Sequence, residues 1–188
     1  MTVAARIVVF LLIALGSRSA QALTIEAGDF VNEIERLRDL AFGSGSNLYD
    51  APDAGERSAF SSAASALLAG NTAQAEFFAN PLGYDVVQFT DNGTNQIYLG
   101  LREQLTNNAQ TKGWGSYFLL QGATTQALVE VPHPLFDTNS WDVGAQAFEQ
   151  SGATGFLMAG AHRNTNGFGT ADVAHLNDSI FQEVHEAW

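Results

Sequence analysis

The strongest constraint on the fold is a strand–helix–strand pattern in the last third of the sequence. Residues 127–131 (ALVEV) and 154–159 (TGFLMA) are apolar runs of strand length, and residues 141–150 between them have the length of a short helix. Such a unit pairs its strands in parallel, with a right-handed crossover through the helix. The pattern predicts an α/β fold for residues 83–188, with a final helix over residues 172–188.

Helix patterns precede these strands along the chain. Residues 28–42 place apolar side chains on one face, and the alanine-rich residues 53–79 predict one or two helices, broken near Gly70. Residues 84–90 and 96–102 are strand-like, the second with alternating apolar residues, and they flank an Asn-Gly turn that is typical of a β-hairpin. We therefore predict N-terminal helices followed by a mixed sheet that contains a β-hairpin and a βαβ unit.

The first 22 residues have the pattern of a secretory signal peptide. Arg6 precedes an apolar run at residues 7–15, and Ala20-Gln21-Ala22 forms an A-x-A cleavage site. The apolar run is too short for a stable membrane-spanning helix. We predict a secreted or periplasmic protein without stable membrane association after cleavage; a retained N-terminal anchor is the alternative.

The remaining chain divides into a helical N-terminal segment, residues 23–82, and an α/β domain, residues 83–188. Two strands are few for a parallel core, which favours an α/β domain that is incomplete at its C-terminus, as in a fragment of a longer protein or a short family member. Eight basic residues against 20 acidic ones, a net charge of −12, argue against nucleic-acid binding, which needs clustered Lys and Arg. The absence of cysteine excludes disulfides, thiolate zinc sites and cysteine nucleophiles.

Two histidines follow the two strands of the βαβ unit. His133 comes after the first strand and His162 after the second, so parallel pairing would bring both to one edge of the sheet, where α/β proteins bind ligands. Asp137 lies four residues after His133, in a loop stiffened by prolines. Imidazole nitrogens and a carboxylate oxygen are zinc ligands, and catalytic sites use three of them. We predict that His133, Asp137 and His162 bind Zn²⁺.

Three further residues are candidates for catalysis. Arg163, beside His162, could bind a carboxylate or phosphate of the substrate, and His175 could serve as a further ligand or as a transition-state donor. Glu183 is the candidate general base. Structural alternatives stay open. His133 could end its strand while Asp137 caps the next helix, and Asp172 could be the N-cap of the last helix. Arg163 could pair with surface acids, and Glu183 could be a solvated surface residue.

The motifs PHPLFDTN (132–139) and GAHRNTN (160–166) resemble those of zinc-dependent amidohydrolases of the N-formylglutamate deformylase and poly-γ-glutamate hydrolase type, within the zinc carboxypeptidase-like group. The resemblance covers the C-terminal third of the chain. The matching residues are His133, Asp137 and His162, with Arg163 completing a His-Arg pair. The resemblance implies cleavage of an amide or peptide-like bond, for example in cell-wall or poly-amino-acid material.

The leading hypothesis is a secreted metal-dependent hydrolase in which a zinc-activated water cleaves an amide or peptide-like bond. Its partner would be a small-molecule or peptide-like substrate. One alternative is a metal-dependent phosphoesterase with Arg163 on the phosphate. Another is a non-catalytic secreted binding protein, or a truncated relative of such an enzyme.

Overall fold

A computed structural model describes residues 23–188. The signal peptide predicted for residues 1–22 lies outside the described residues. The described strands are β1 (Thr24–Gly28), β2 (Tyr84–Asp91), β3 (Ile97–Glu103), β4 (Ser116–Leu120), β5 (Leu128–Val131) and β6 (Gly155–Met158). They form one open, mixed sheet in the order β1-β2-β3-β4-β6-β5. The predicted α/β fold with a mixed sheet is confirmed.

The described α-helices are α1 (Phe30–Asp39), α2 (Ala54–Leu68), α3 (Thr72–Ala79), α4 (Ser140–Ser151) and α5 (Ile180–Ala187). The predicted break near Gly70 is confirmed, because Gly70 has a φ of 72° between α2 and α3. Asn71 is the N-cap of α3, and its side chain accepts a hydrogen bond from the Gln74 N–H. An aspartate caps α1 and another caps α2 in the same way. Within residues 23–188, none of the helices is long and apolar enough to cross a membrane.

The predicted hairpin is confirmed by antiparallel pairing of β2 with β3. Its turn is held by the buried carboxylate of Asp91, which accepts hydrogen bonds from the Gly93, Thr94 and Phe30 N–H groups. Strand β1 pairs in parallel with β2 and was not predicted. Its sequence, TIEAG, has a single large apolar side chain, Ile25, which is exposed.

The predicted βαβ unit is also confirmed, because β5 and β6 are parallel neighbours connected through α4. Strand β4 pairs with the other side of β6 in an antiparallel sense, so the parallel pair occupies one end of the sheet. The crossover helix packs closely on β5 because Gly144 lies against Val131, where a Cβ would come within 2.5 Å of the valine side chain.

Helices cover both faces of the sheet. One apolar core contains residues of α2, α3 and α5, and the other contains residues of α1 and α4. The predicted helix over residues 172–188 is wrong in its first half: α5 begins at Ile180, and Ser179 is its N-cap. Residues 172–179 form turns instead. In this segment the side chain of Asp172 points inward and contacts residues of other loops.

Candidate functional site

The carboxyl ends of β5 and β6 lie side by side, with Val131 opposite Met158. The chain continues past β6 beside the segment that follows α1: the His162 N–H donates to the Phe42 carbonyl, and the Phe42 N–H donates to the Gly160 carbonyl. His133 and His162 are therefore at one edge of the sheet, as predicted. This edge is where ligands bind in open α/β sheets.

Asp172 is the centre of a polar cluster at this edge. Its Oδ1 lies 2.8 Å from Nε2 of His133 and 3.1 Å from Nδ1 of His175, and its Oδ2 accepts a hydrogen bond from the Arg163 guanidinium. The side chain of Asp172 is 7% exposed, whereas that of His175 is 71% exposed. We call His133, Arg163, Asp172 and His175 the Asp172 cluster.

The cluster favours the ionised form of Asp172. Burial alone would raise the pKa of this carboxyl group, but hydrogen bonds to His175 and His133 and the positive charge of Arg163 lower it below its usual value. Asp172 therefore stays negatively charged although little of it contacts water. A buried carboxylate with a fixed charge is a strong electrostatic centre for whatever binds beside it.

His133 faces carboxylates on both sides of its ring. Nδ1 lies 3.3 Å from Oδ2 of Asp137, on the opposite side from Asp172. A turn places Asp137 there, because the N–H groups of Phe136 and Asp137 both donate to the His133 carbonyl. The predicted proximity of His133 and Asp137 is thus present, with Asp137 half-exposed and His133 buried.

His162 is close to these residues, but its Nδ1 is occupied by a backbone hydrogen bond. Nδ1 accepts a hydrogen bond from the Asn164 N–H at 3.1 Å, which requires the neutral ring to carry its proton on Nε2. The ring packs edge-on against Phe136, with 5.6 Å between the ring centres. The three predicted ligands, His133, Asp137 and His162, do not direct their ligating atoms to one point. Within residues 23–188, no group of three or more His, Asp or Glu side chains is arranged to hold a metal ion.

The other predicted residues separate into two groups. Arg163 and His175 belong to the Asp172 cluster, and the Arg163 guanidinium also lies over the ring of Phe136, 5.1 Å from its centre. Glu183 is on α5, where it forms an ion pair with Arg57 of α2 at 3.5 Å. It therefore contributes to helix packing.

Sequence reasoning missed the central role of Asp172. The N-cap alternative for this residue is wrong, since Ser179 caps α5. The spacing of three residues between Asp172 and His175 was the one sequence signal for this contact. The other histidine that contacts Asp172, His133, lies 39 residues away in the sequence. Arg163 pairs with this buried acid, not with surface acids as the alternative for that residue supposed.

A neighbouring segment, residues 43–50, supports the site. The sequence GSGSN within it is typical of a flexible linker, yet it is fastened to the loop after His162. Thr165 donates to the Phe42 and Gly43 carbonyls, and the Asn166 amide bonds to both backbone groups of Tyr49. The loops at this edge therefore hold one another in place.

Comparison of the chain with protein-family models, with curated proteins and with solved structures finds no match. The chemistry of the site is therefore the basis for inferring function. It combines two imidazoles, a buried carboxylate and an arginine at the carboxyl ends of parallel strands, where other open α/β sheets bind ligands. Of the two imidazoles, the one of His175 is open to solvent.

Proposed function

We propose that this protein is a metal-dependent hydrolase of amide or peptide-like bonds, and that His133, Asp172 and His175 bind a Zn²⁺ ion after their side chains move apart from the hydrogen-bonded arrangement described above, which does not itself hold a metal ion. One observation carries the proposal: two imidazole nitrogens converge on a single oxygen of a buried carboxylate. Two histidines and one carboxylate are a donor set of catalytic zinc sites. The sequence-based ligand set is thereby revised, with Asp172 and His175 in place of Asp137 and His162.

The groups around these three residues support the same assignment. A histidine that binds a metal usually donates its other ring N–H to a carboxylate, and Asp137 occupies that position at Nδ1 of His133. Metal-binding carboxylates are themselves hydrogen-bonded, as Asp172 is by Arg163. Without metal, hydrogen bonds join the three donors. Metal would replace the protons between them, so binding should release protons.

The chain's own residues then have distinct roles. When bound, zinc supplies an activated water and polarises the scissile carbonyl. Asp137 orients His133, and the hydrogen bond from Arg163 orients Asp172. His162 carries a proton on Nε2 when its ring is neutral, and we assign this N–H a hydrogen bond to the oxygen that becomes negative in the transition state. The choice of an amide or peptide-like bond rests on the resemblance of the PHPLFDTN and GAHRNTN motifs.

Metal analysis of variant proteins tests the proposal. We expect about one zinc per purified chain by elemental mass spectrometry. We also expect its loss in His133→Ala and His175→Ala. His185→Ala is the matched control, because this exposed histidine pairs with Glu130 and lies outside the cluster. His162→Ala should keep its metal under the revised ligand set and lose it under the set predicted from sequence.

Activity would be tested next, on a panel of acylated amino acids and short peptides, with a chelator-treated sample as control. Zinc-dependent hydrolysis that His133→Ala abolishes would support the proposal. Absence of bound metal, together with no rise in the melting temperature on adding zinc, would contradict it.

A second candidate is a non-catalytic secreted binding protein, in which the Asp172 cluster is structural. The observation in its favour is that both ring nitrogens of His133 already face carboxylates and Arg163 is already paired. This candidate predicts a folded protein without stoichiometric metal. The phosphoesterase alternative gains no comparable support, because the Arg163 guanidinium bonds to Asp172.

A further inference from the structure

The sequence contains two Asn-Gly dipeptides, and the structure holds their asparagine side chains differently. Asn92-Gly93 forms the turn of the β2–β3 hairpin, and Asn166-Gly167 lies in the loop after His162. Asn92 and Asn166 are both exposed residues. Exposure to solvent therefore does not distinguish the two dipeptides.

An asparagine that precedes glycine is open to a chemical change that needs no enzyme. The glycine backbone nitrogen gives up its proton and attacks Cγ of the asparagine, and the side-chain nitrogen leaves as ammonia when a cyclic imide closes. Water then opens the imide at one of its two carbonyls, which leaves aspartate or isoaspartate in the chain. Glycine favours this reaction because it has no side chain to shield the attacking nitrogen.

The two attacking nitrogens are in similar surroundings. The Gly93 N–H donates a hydrogen bond to Oδ1 of Asp91 at 2.9 Å, and the Gly167 N–H donates one to the Asn164 carbonyl at 3.2 Å. Each nitrogen must release one hydrogen bond before it attacks. A difference in reactivity must therefore come from the asparagine side chains.

The side-chain amide of Asn166 is held at both ends. Its Oδ1 accepts a hydrogen bond from the Tyr49 N–H at 3.2 Å, and its Nδ2 donates one to the Tyr49 carbonyl at 2.6 Å. During the reaction Cγ becomes tetrahedral and Nδ2 departs, so the planar amide that makes both hydrogen bonds is lost. Their loss adds to the barrier for conversion of Asn166.

The side chain of Asn92 has no such restraint. The Asn92 N–H donates to the Gly28 carbonyl at 2.7 Å, which fixes the backbone of the turn. The side-chain amide makes no hydrogen bond with any other group among residues 23–188. Attack at Cγ of Asn92 therefore breaks no side-chain contact of the folded protein.

We infer that Asn92 is a site of spontaneous modification in the folded protein, where it converts to aspartate and isoaspartate, and that the hydrogen bonds to Tyr49 protect Asn166 from the same reaction. The inference does not depend on the proposed function. The protected asparagine is the one that fastens segment 43–50 to the loop after His162, beside the candidate site. The unprotected one lies in the hairpin turn.

The test is a long incubation of the purified protein at mildly alkaline pH, in water enriched in a heavy oxygen isotope. Fragmentation mass spectrometry locates each converted asparagine, and the isotope marks conversion that occurred during the incubation. The two hydrogen bonds to Tyr49 should slow Asn166 about tenfold relative to Asn92, equivalent to ~1.4 kcal/mol of activation free energy. In urea, where these hydrogen bonds are absent, the two rates should become similar.

Gly93→Ala is the control for the chemistry. Its Cβ would shield the attacking nitrogen and would meet only Oδ1 of Asp91, at 3.3 Å, so the variant should fold and Asn92 should convert more slowly. Equal conversion of Asn92 and Asn166 in the folded protein would overturn the inference. An Asn92 that converts only in urea would also overturn it, because the turn itself would then be protective.

Two variants that imitate the aspartate product test the protecting contact without any reaction. Asn166→Asp places a carboxylate oxygen where Nδ2 donates to the Tyr49 carbonyl, so it should lower the melting temperature. Asn92→Asp breaks no side-chain hydrogen bond and should lower it less. Equal melting temperatures for the two variants would show that the contact with Tyr49 does not hold Asn166.

Discussion

Removing the Asp172 carboxylate is the most direct perturbation of the cluster. Asp172→Ala leaves the Arg163 guanidinium and the buried ring of His133 without their common acceptor. Deleting one partner of a buried ion pair typically costs about 3–5 kcal/mol of unfolding free energy. The side chain of Arg163 is 25% exposed, so water can replace part of the lost interaction. We therefore expect a loss at the lower end, about 3 kcal/mol.

Urea unfolding followed by circular dichroism measures this loss. In a domain of this size, 1 kcal/mol shifts the melting temperature by about 2–4 °C, so a fall of about 6–12 °C should accompany it. Asp172→Asn keeps the shape of the side chain and one acceptor oxygen, so it should lower the unfolding free energy by less than Asp172→Ala does. The matched control is Asp178→Ala, an exposed aspartate in the same segment, expected to stay within about 0.5 kcal/mol of the wild type. Equal stabilities for Asp172→Ala and Asp178→Ala would refute the reasoning.

Two other changes test the sheet. Gly100→Ala would place a Cβ 2.6 Å from the ring of Phe118, so it should lower the unfolding free energy by about 1–3 kcal/mol in urea, whereas Gly43→Ala, which meets open space, should not. Arg102→Ala should alter the pH dependence of stability. The hydrogen bond from Arg102 lowers the pKa of Glu26. The stability that this interaction contributes is fully present above pH 4.5, the ordinary pKa of the group, and is lost as the pH falls through the lowered pKa. The stability difference between wild type and Arg102→Ala should therefore narrow below pH 4.5 in acid titrations; a constant difference would contradict this.

Local sequence patterns predicted the elements that depend on local contacts. The hairpin follows from its Asn-Gly turn, and the βαβ unit follows from the spacing of its apolar runs. The proximity of His133 and Asp137 was also predictable, because the two residues are only four positions apart in one loop. The edge strand β1 was not predictable in this way, because it is held by pairing with β2 and not by apolar residues of its own.

The start of α5 was mispredicted for a related reason. The apolar spacing of Val173, Ile180 and Val184 fits one long helix, and all three side chains are buried. The backbone nevertheless forms turns before Ser179, in the stretch where Asp172 reaches a histidine 39 residues away. Apolar periodicity indicates which side chains are buried. It does not reveal a distant polar contact that competes with helix formation. The centre of the candidate site lies in this mispredicted segment.

Burial explains why Asp172, and not Asp137, is assigned to the metal. Both carboxylates contact His133, but the side chain of Asp172 is 7% exposed and that of Asp137 is 53% exposed. Water screens the charge of the exposed group more strongly than that of the buried one. Hydrogen bonds to His175 and His133, with a smaller contribution from the charge of Arg163, lower the pKa of Asp172 and keep it ionised. The exposed group can still fix the His133 ring through Nδ1, a task that needs geometry more than charge. The two carboxylates on either side of His133 therefore suit different roles. The PHPLFDTN motif contains only Asp137, the one suited to orienting the histidine.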